Sequence, residues 1–204
     1  MQNYIYIIFS STPTKMGKLI RSFTNNRFNH VSVSLDPELS YSYSFARRFY
    51  RTPLYGGFVQ ESNARYHRHG AHAQIHVCRL PVTPLQAADL ADQFLMMDQF
   101  SDHYLYNHFS ALAALIRVPV PARDAYTCVE FCVQILWKLG FPVRPGVFYS
   151  VDELDALLCD YRIYEGPMPT VQQADDDFYA KKSIPKVITH TVRDFFRLIP
   201  RVGK

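Results

Sequence analysis

The chain has 204 residues, 48% of them hydrophobic, which is enough to fill the core of one domain. Its 22 Lys+Arg against 18 Asp+Glu leave a net charge of +4, so a strongly basic nucleic-acid binder is excluded and no nucleic-acid partner is expected. The longest apolar runs, such as Tyr4 to Phe9, fall far short of the ~20 residues of a membrane span. The N-terminus MQNYIYIIFSSTP has neither the basic segment nor the small-residue cleavage site of a signal peptide. Four cysteines are too few for a disulfide scaffold. These features lead to the expectation of a cytoplasmic protein with reduced thiols.

Tyr4 to Phe9 is β-branched and aromatic and stops at Ser10-Ser11-Thr12-Pro13, a buried strand ending in a loop. Met16, Leu19, Ile20 and Phe23 have helical spacing and predict a short helix over 14–24. His30 to Leu35 and Ser40 to Phe45 both alternate with period two around Asp36-Pro37-Glu38, which predicts a β-hairpin with one polar and one apolar face. Gly56-Gly57 leads into a strand ending at Glu61, and Gln74 to Leu80 is a further strand. Thr83-Pro84-Leu85-Gln86 opens a helix that runs to about Phe100. An apolar stretch from Tyr106 to Ile116 follows, then a helix from Thr127 to Leu139 closed by Gly140. Ser150 and Glu153 form another capping box, opening a helix through Leu158, and Tyr161 to Tyr164 reads as a last strand. The expected class is α+β, an antiparallel sheet with helices packed on it.

The most informative segment is Tyr126-Thr-Cys-Val-Glu-Phe-Cys-Val, residues 126–133. Thr127 and Glu130 make an S/T-x-x-E capping box, which puts Cys128 at the first helical position. Unpaired N–H groups and the positive end of the helix dipole favour an anion there, the setting in which thiols become nucleophilic. The rest of the helix is apolar nearly all round and therefore buried. Cys128 is thus a candidate nucleophile or a small core residue. Cys132, one turn deeper, and Cys78 and Cys159, in apolar strand and helix patterns, read as core. A Cys-x-x-x-Cys pair without a partner pair is a poor zinc site, and the loop histidines His67, His69, His72 and His76 come with no carboxylate pattern, so no metal and no cofactor are expected. A thiol nucleophile needs a base. His30, at the start of its strand, is placed to aim an imidazole at another element.

The order His30-Val-Ser-Val-Ser, Tyr43-Ser-Phe-Ala-Arg, Gly56-Gly-Phe-Val-Gln-Glu and Cys128-Val-Glu-Phe-Cys-Val resembles the circularly permuted papain-like branch of the NlpC-type cysteine peptidase superfamily. Lecithin:retinol acyltransferase and YiiX-like proteins belong to that branch. The resemblance spans roughly residues 3–165. It implies a permuted papain-like domain over 1–165, with Cys128 as nucleophile and His30 as base. It also implies a residue that orients the imidazole. The strand after His30 carries only serines; a two-residue turn puts Phe45 opposite His30, and a one-residue shift brings Ser44 there. Glu61 is the carboxylate that the resemblance positions best, its other reading being a solvated strand-end charge. Tyr126 either lends a hydroxyl to an oxyanion site or packs.

The implied reaction is thiol hydrolysis or acyl transfer on an amide or ester through an acyl-enzyme, with the oxyanion held by backbone N–H groups at Cys128. The substrate class is a small molecule, peptide or lipid. The alternative is a non-catalytic peptide- or lipid-binding module of the same fold. Residues 166–204 form a loop and a basic tail: 181–204 hold seven Lys/Arg against Asp194, with Val192, Phe195, Phe196 and Ile199 at helical spacing. Such a helix either makes peripheral contact with an anionic membrane or docks on its own domain.

Overall fold

The computed structural model describes residues 3–12, 27–52, 54–68, 71–169, 177–180 and 184–203. The helix expected over 14–24 lies outside them. The strands are β1 (Asn3–Ser11), β2 (His30–Ser34), β3 (Tyr41–Arg47), β4 (Gly56–Ser62), β5 (His67–Arg68), β6 (Ala71–His72), β7 (Gln74–Val82), β8 (Leu105–Tyr106), β9 (Ala125–Tyr126) and β10 (Arg162–Pro167). The helices are α1 (Pro84–Gln99), α2 (His108–Ala113), α3 (Cys128–Lys138), α4 (Val151–Leu157) and α5 (Ile184–Leu198). Eight strands form one sheet in the order β10-β7-β1-β2-β3-β4-β8-β9, and β5 pairs with β6 alone. Among the described residues the pairings are antiparallel except that of β8 with β9, which is parallel. The class is α+β.

Both faces of the central strands are buried, which explains why β1 is apolar without a break. Ile5, Ile7 and Phe9 join Val31, Val33 and Phe45 in the core shared with α1 and α3. Tyr6 and Ile8 face the other way, against Tyr66, Ile75 and Val77. Four rings lock the helices to the sheet: Phe131 of α3 lies 5.4 Å from Phe45, 5.7 Å from Phe58 and 5.8 Å from Phe94 of α1. Aromatic contacts at these separations add to the burial of their area.

All three sequence-read capping boxes form, at Thr83/Gln86, Thr127/Glu130 and Ser150/Glu153. Other expectations need correction. The apolar stretch 106–116 begins in β8, and its helix is only α2 followed by a 3₁₀ turn. Cys159 is exposed, because α4 ends at Leu157 and the thiol falls in the 3₁₀ turn beyond the buried Leu158. The hairpin register also differs. Val33 pairs with Tyr43, so neither Phe45 nor Ser44 takes the place opposite His30. The cause is the turn: Leu39 adopts a left-handed φ of 54°, and the Asp36 carboxylate accepts from the N–H groups of Glu38 and Ser40, which lengthens the loop.

Gly56-Gly57 lets β4 approach β8 closely. A Cβ on Gly57 would stand 2.5 Å from the Tyr104 carbonyl oxygen, a backbone atom that cannot swing aside. Gly57→Ala is therefore expected to cost about 1–3 kcal/mol in denaturant unfolding, the range of an overpacked site. A variant as stable as the wild type would contradict this close approach.

Candidate active site

Cys128 is the first residue of α3, and its helix start is held from three directions. Thr127 Oγ1 accepts from the Glu130 N–H, and Glu130 Oε2 accepts from the Thr127 N–H at 2.7 Å. Ser110 of α2 donates its hydroxyl to the same carboxylate, and Asn107 donates to it at 3.4 Å. Asn107 also donates its backbone N–H to Tyr126, directly before the helix, at 3.0 Å. The first turn of α3 is thus fastened to β9 and to the start of α2. Cys128 itself is 8% exposed.

His30 is the first residue of β2. The segment leading into it is pinned by α4, where Asp152 accepts the backbone N–H groups of Arg27 (2.6 Å) and Phe28 (3.0 Å). Its Nε2 lies 3.1 and 3.0 Å from the two oxygens of Glu61. That nitrogen is committed to the carboxylate, which leaves Nδ1 for the sulfur. Burial works against a charged imidazole, but the adjacent Glu61 carboxylate, helped by Cys128, raises His30 to about 10 from an ordinary 6.5. The helix that carries Cys128 packs against β2, which brings the start of that helix to the side of the sheet where Val31 and Val33 are buried.

Glu61 is 4% exposed, so it is not a solvated strand-end charge. Burial alone would keep its carboxyl neutral; the imidazolium of His30, its hydrogen bond and the nearby Arg65 instead lower it to about 2. Ser44 donates to Glu61 Oε1 at 2.8 Å, and the Tyr66 hydroxyl donates to Oε2. The serine named from sequence therefore acts on the carboxylate rather than on the histidine. The polar face of the β2–β3 hairpin is buried, with Ser32, Ser34, Ser42 and Ser44 all covered. Their small side chains leave room beneath the sheet for Tyr66 and the carboxylate.

Tyr66 was not legible as a site residue. It closes a 3₁₀ turn, Asn63–Tyr66, directly after β4, and only its position five residues beyond Glu61 hints at the contact. Burial and the Glu61 charge push its phenol well up, so it stays a donor. Tyr106 is a second unforeseen neighbour: burial first, then the charge of Cys128, raises its phenol. Tyr126 packs its ring edge-on against Phe45 at 5.1 Å and lines the cavity beside Cys128.

That cavity measures about 820 Å³. Its walls come from the first turns of α3, from α2 and its 3₁₀ turn, and from the 145–151 loop. Ala111, Leu115, Val129, Val133, Val147 and Phe148 make them largely apolar. Phe28 and Asn29, just before His30, close the end nearest the histidine. The other buried thiols do not line this cavity, and burial pushes Cys78 up to about 12 and Cys132 up as well.

His67 and His72 face each other across the β5–β6 hairpin at 2.7 Å. His76 is buried in β7, 2.9 Å from both oxygens of Asp155. Among the described residues no group of three His, Cys, Asp or Glu is arranged to hold a metal ion. The chain matches no family model, no curated protein and no solved structure.

Proposed function

We propose that this protein is a thiol hydrolase or acyltransferase of permuted papain-like fold, acting on an amide or ester whose acyl part is apolar. The observation that carries this reading is the buried His30–Glu61 pair on strands beside the Cys128 helix, whose first turn opens on a largely apolar cavity. Histidine strand first and cysteine helix later is the order of the permuted branch. The orienting group, whose loss would favour a mere binding module, is supplied by the buried Glu61.

At neutral pH His30 is an imidazolium paired with Glu61, and the reacting form of Cys128 in this scheme is the thiolate. The sulfur attacks the carbonyl carbon and forms a C–S bond while the carbonyl π pair moves onto oxygen. Backbone N–H groups at the start of α3 hold that oxyanion. On collapse the C–N or C–O bond breaks, and His30 Nδ1 gives its proton to the leaving amine or alcohol. The thioester is then attacked by water or by a second nucleophile, which passes a proton back to His30 and releases Cys128. Glu61 stays ionised throughout and keeps the ring in place, while Ser44 and Tyr66 keep Glu61 in place.

The test uses 4-nitrophenyl esters of short and long fatty acids. Nitrophenol release should accompany a transient acyl mass on the peptide containing Cys128, and Cys128→Ala should lose both. Undiminished release by Cys128→Ala, or acylation confined to Cys159, would refute the assignment.

A further inference from the structure

The basic tail is docked, but only by part of its surface. Leu198 of α5 is buried with Leu105, Ala122 and Ala125, and Phe195 stacks near Phe109 at 5.6 Å. Backbone bonds follow, from Arg123 N–H to the Arg201 carbonyl (3.1 Å) and from Gly203 N–H to the Pro121 carbonyl (2.9 Å). So anchored, the helix leaves Val192, Phe196 and Ile199 facing outward.

They have neighbours. The end of α2 and its 3₁₀ turn (Ala114–Ile116) present Leu112, Leu115 and Ile116 to solvent in a groove that Ile199 also lines. Leu112, Ile116 and Phe196 are 70%, 74% and 67% exposed, an uncommon degree for side chains of this size. Phe109, Leu112, Ile116, Val120, Ile199 and Val202 line one shallow groove that joins the two segments. Two stretches some eighty residues apart in the chain thus build one apolar surface.

Its surroundings are cationic. Arg193, Arg197 and Arg201 stand on the described part of the tail, with Asp194 between them pairing with the first two. Arg117 and Arg123, their side chains 60% and 69% exposed, line the Cys128 cavity, Arg117 being paired with Glu153. Leu115 lines both the groove and the cavity, so the two adjoin.

We infer that this surface seats the protein on an anionic lipid bilayer, with the Cys128 cavity opening beside the contact. Apolar side chains flanked by arginines suit the boundary between headgroups and acyl chains. A second copy would set two cationic surfaces against each other, and a nucleic acid would gain nothing from exposed leucine, isoleucine and phenylalanine. Among the described residues no helix is long and apolar enough to cross a membrane, so the contact is with the surface. This inference concerns docking and stands whether or not Cys128 turns over a substrate.

The experiment is flotation of the full chain with vesicles of phosphatidylcholine, with and without phosphatidylglycerol, at low and high salt. Binding should require phosphatidylglycerol and weaken with salt as its charges are screened. Ile116→Glu combined with Phe196→Glu should weaken it at least about tenfold, since two carboxylates replace the inserted side chains. These side chains are exposed, so the circular dichroism and the Cys128 alkylation rate should match the wild type. Leu112→Gln, a milder change, should weaken binding in the same direction. No flotation by the wild type, or equal flotation by the double variant, would overturn the inference. So would a wild-type dimer in light scattering that the double variant converts to a monomer.

Discussion

Glu61→Ala is expected to lower the stability of the fold by about 3–5 kcal/mol, the usual cost of removing one partner from a buried ion pair. The substitution leaves the His30 imidazole, the Ser44 hydroxyl and the Tyr66 hydroxyl without the group they all meet. The pair also sets a pH window. Glu61 lies at about 2 when folded against an ordinary 4.5, so its contribution is complete above 4.5 and is lost as pH falls toward 2. His30 lies at about 10 when folded against an ordinary 6.5, so its contribution is complete below 6.5 and is lost as pH rises through 10. The interaction is therefore strongest between about 4.5 and 6.5 and fades on both sides. Denaturant unfolding of wild type and variant across this range checks the claim. The difference between them should shrink at both ends, and a pH-independent difference below about 1 kcal/mol would contradict it.

Glu130→Ala is expected to cost about 2–3 kcal/mol and to loosen the turn that carries Cys128. Thr127 makes one bond to this turn, whereas the Glu130 carboxylate ties the Thr127 N–H, Ser110 and Asn107 together. Removing it breaks the cap and the ties to Ser110 and Asn107 at once. Amide hydrogen exchange over residues 126–131 should speed up while exchange in α1 stays as it was. Glu130→Gln retains acceptor capacity at this position and should cost less. Unchanged exchange in Glu130→Ala would mean that α3 is held by its core packing alone.

How much of this was readable in advance depends on how local each feature is. Thr127, Cys128 and Glu130 sit within four residues, so both the cap and the position of the thiol follow from spacing. The burial of α3 follows from its apolar pattern. The pairing of His30 with Cys128 joins residues far apart in the chain, and only the order of motifs suggested it. The Glu61 contact depends on β3 lying between β2 and β4, so that the carboxylate reaches past one strand to the histidine. Composition says nothing of such an arrangement. Ser44 misled because alternation fixes a face but not a register: the left-handed Leu39 and the Asp36 loop moved the pairing. Tyr66 escaped because a tyrosine after a strand is chemically silent until the sheet folds over it. The tail divided between its two readings, with Leu198 docked and Phe196 left outside.

The most direct test of the Cys128–His30–Glu61 assignment is the rate of alkylation of Cys128 by iodoacetamide near pH 6, mapped by mass spectrometry in wild type and His30→Ala. The exposed Cys159 serves as an internal reference in the same sample. The imidazolium should keep Cys128 reactive at this pH, so His30→Ala should slow Cys128 at least about tenfold and leave Cys159 unchanged. Equal rates at Cys128 in the two proteins would show that His30 does not activate the thiol.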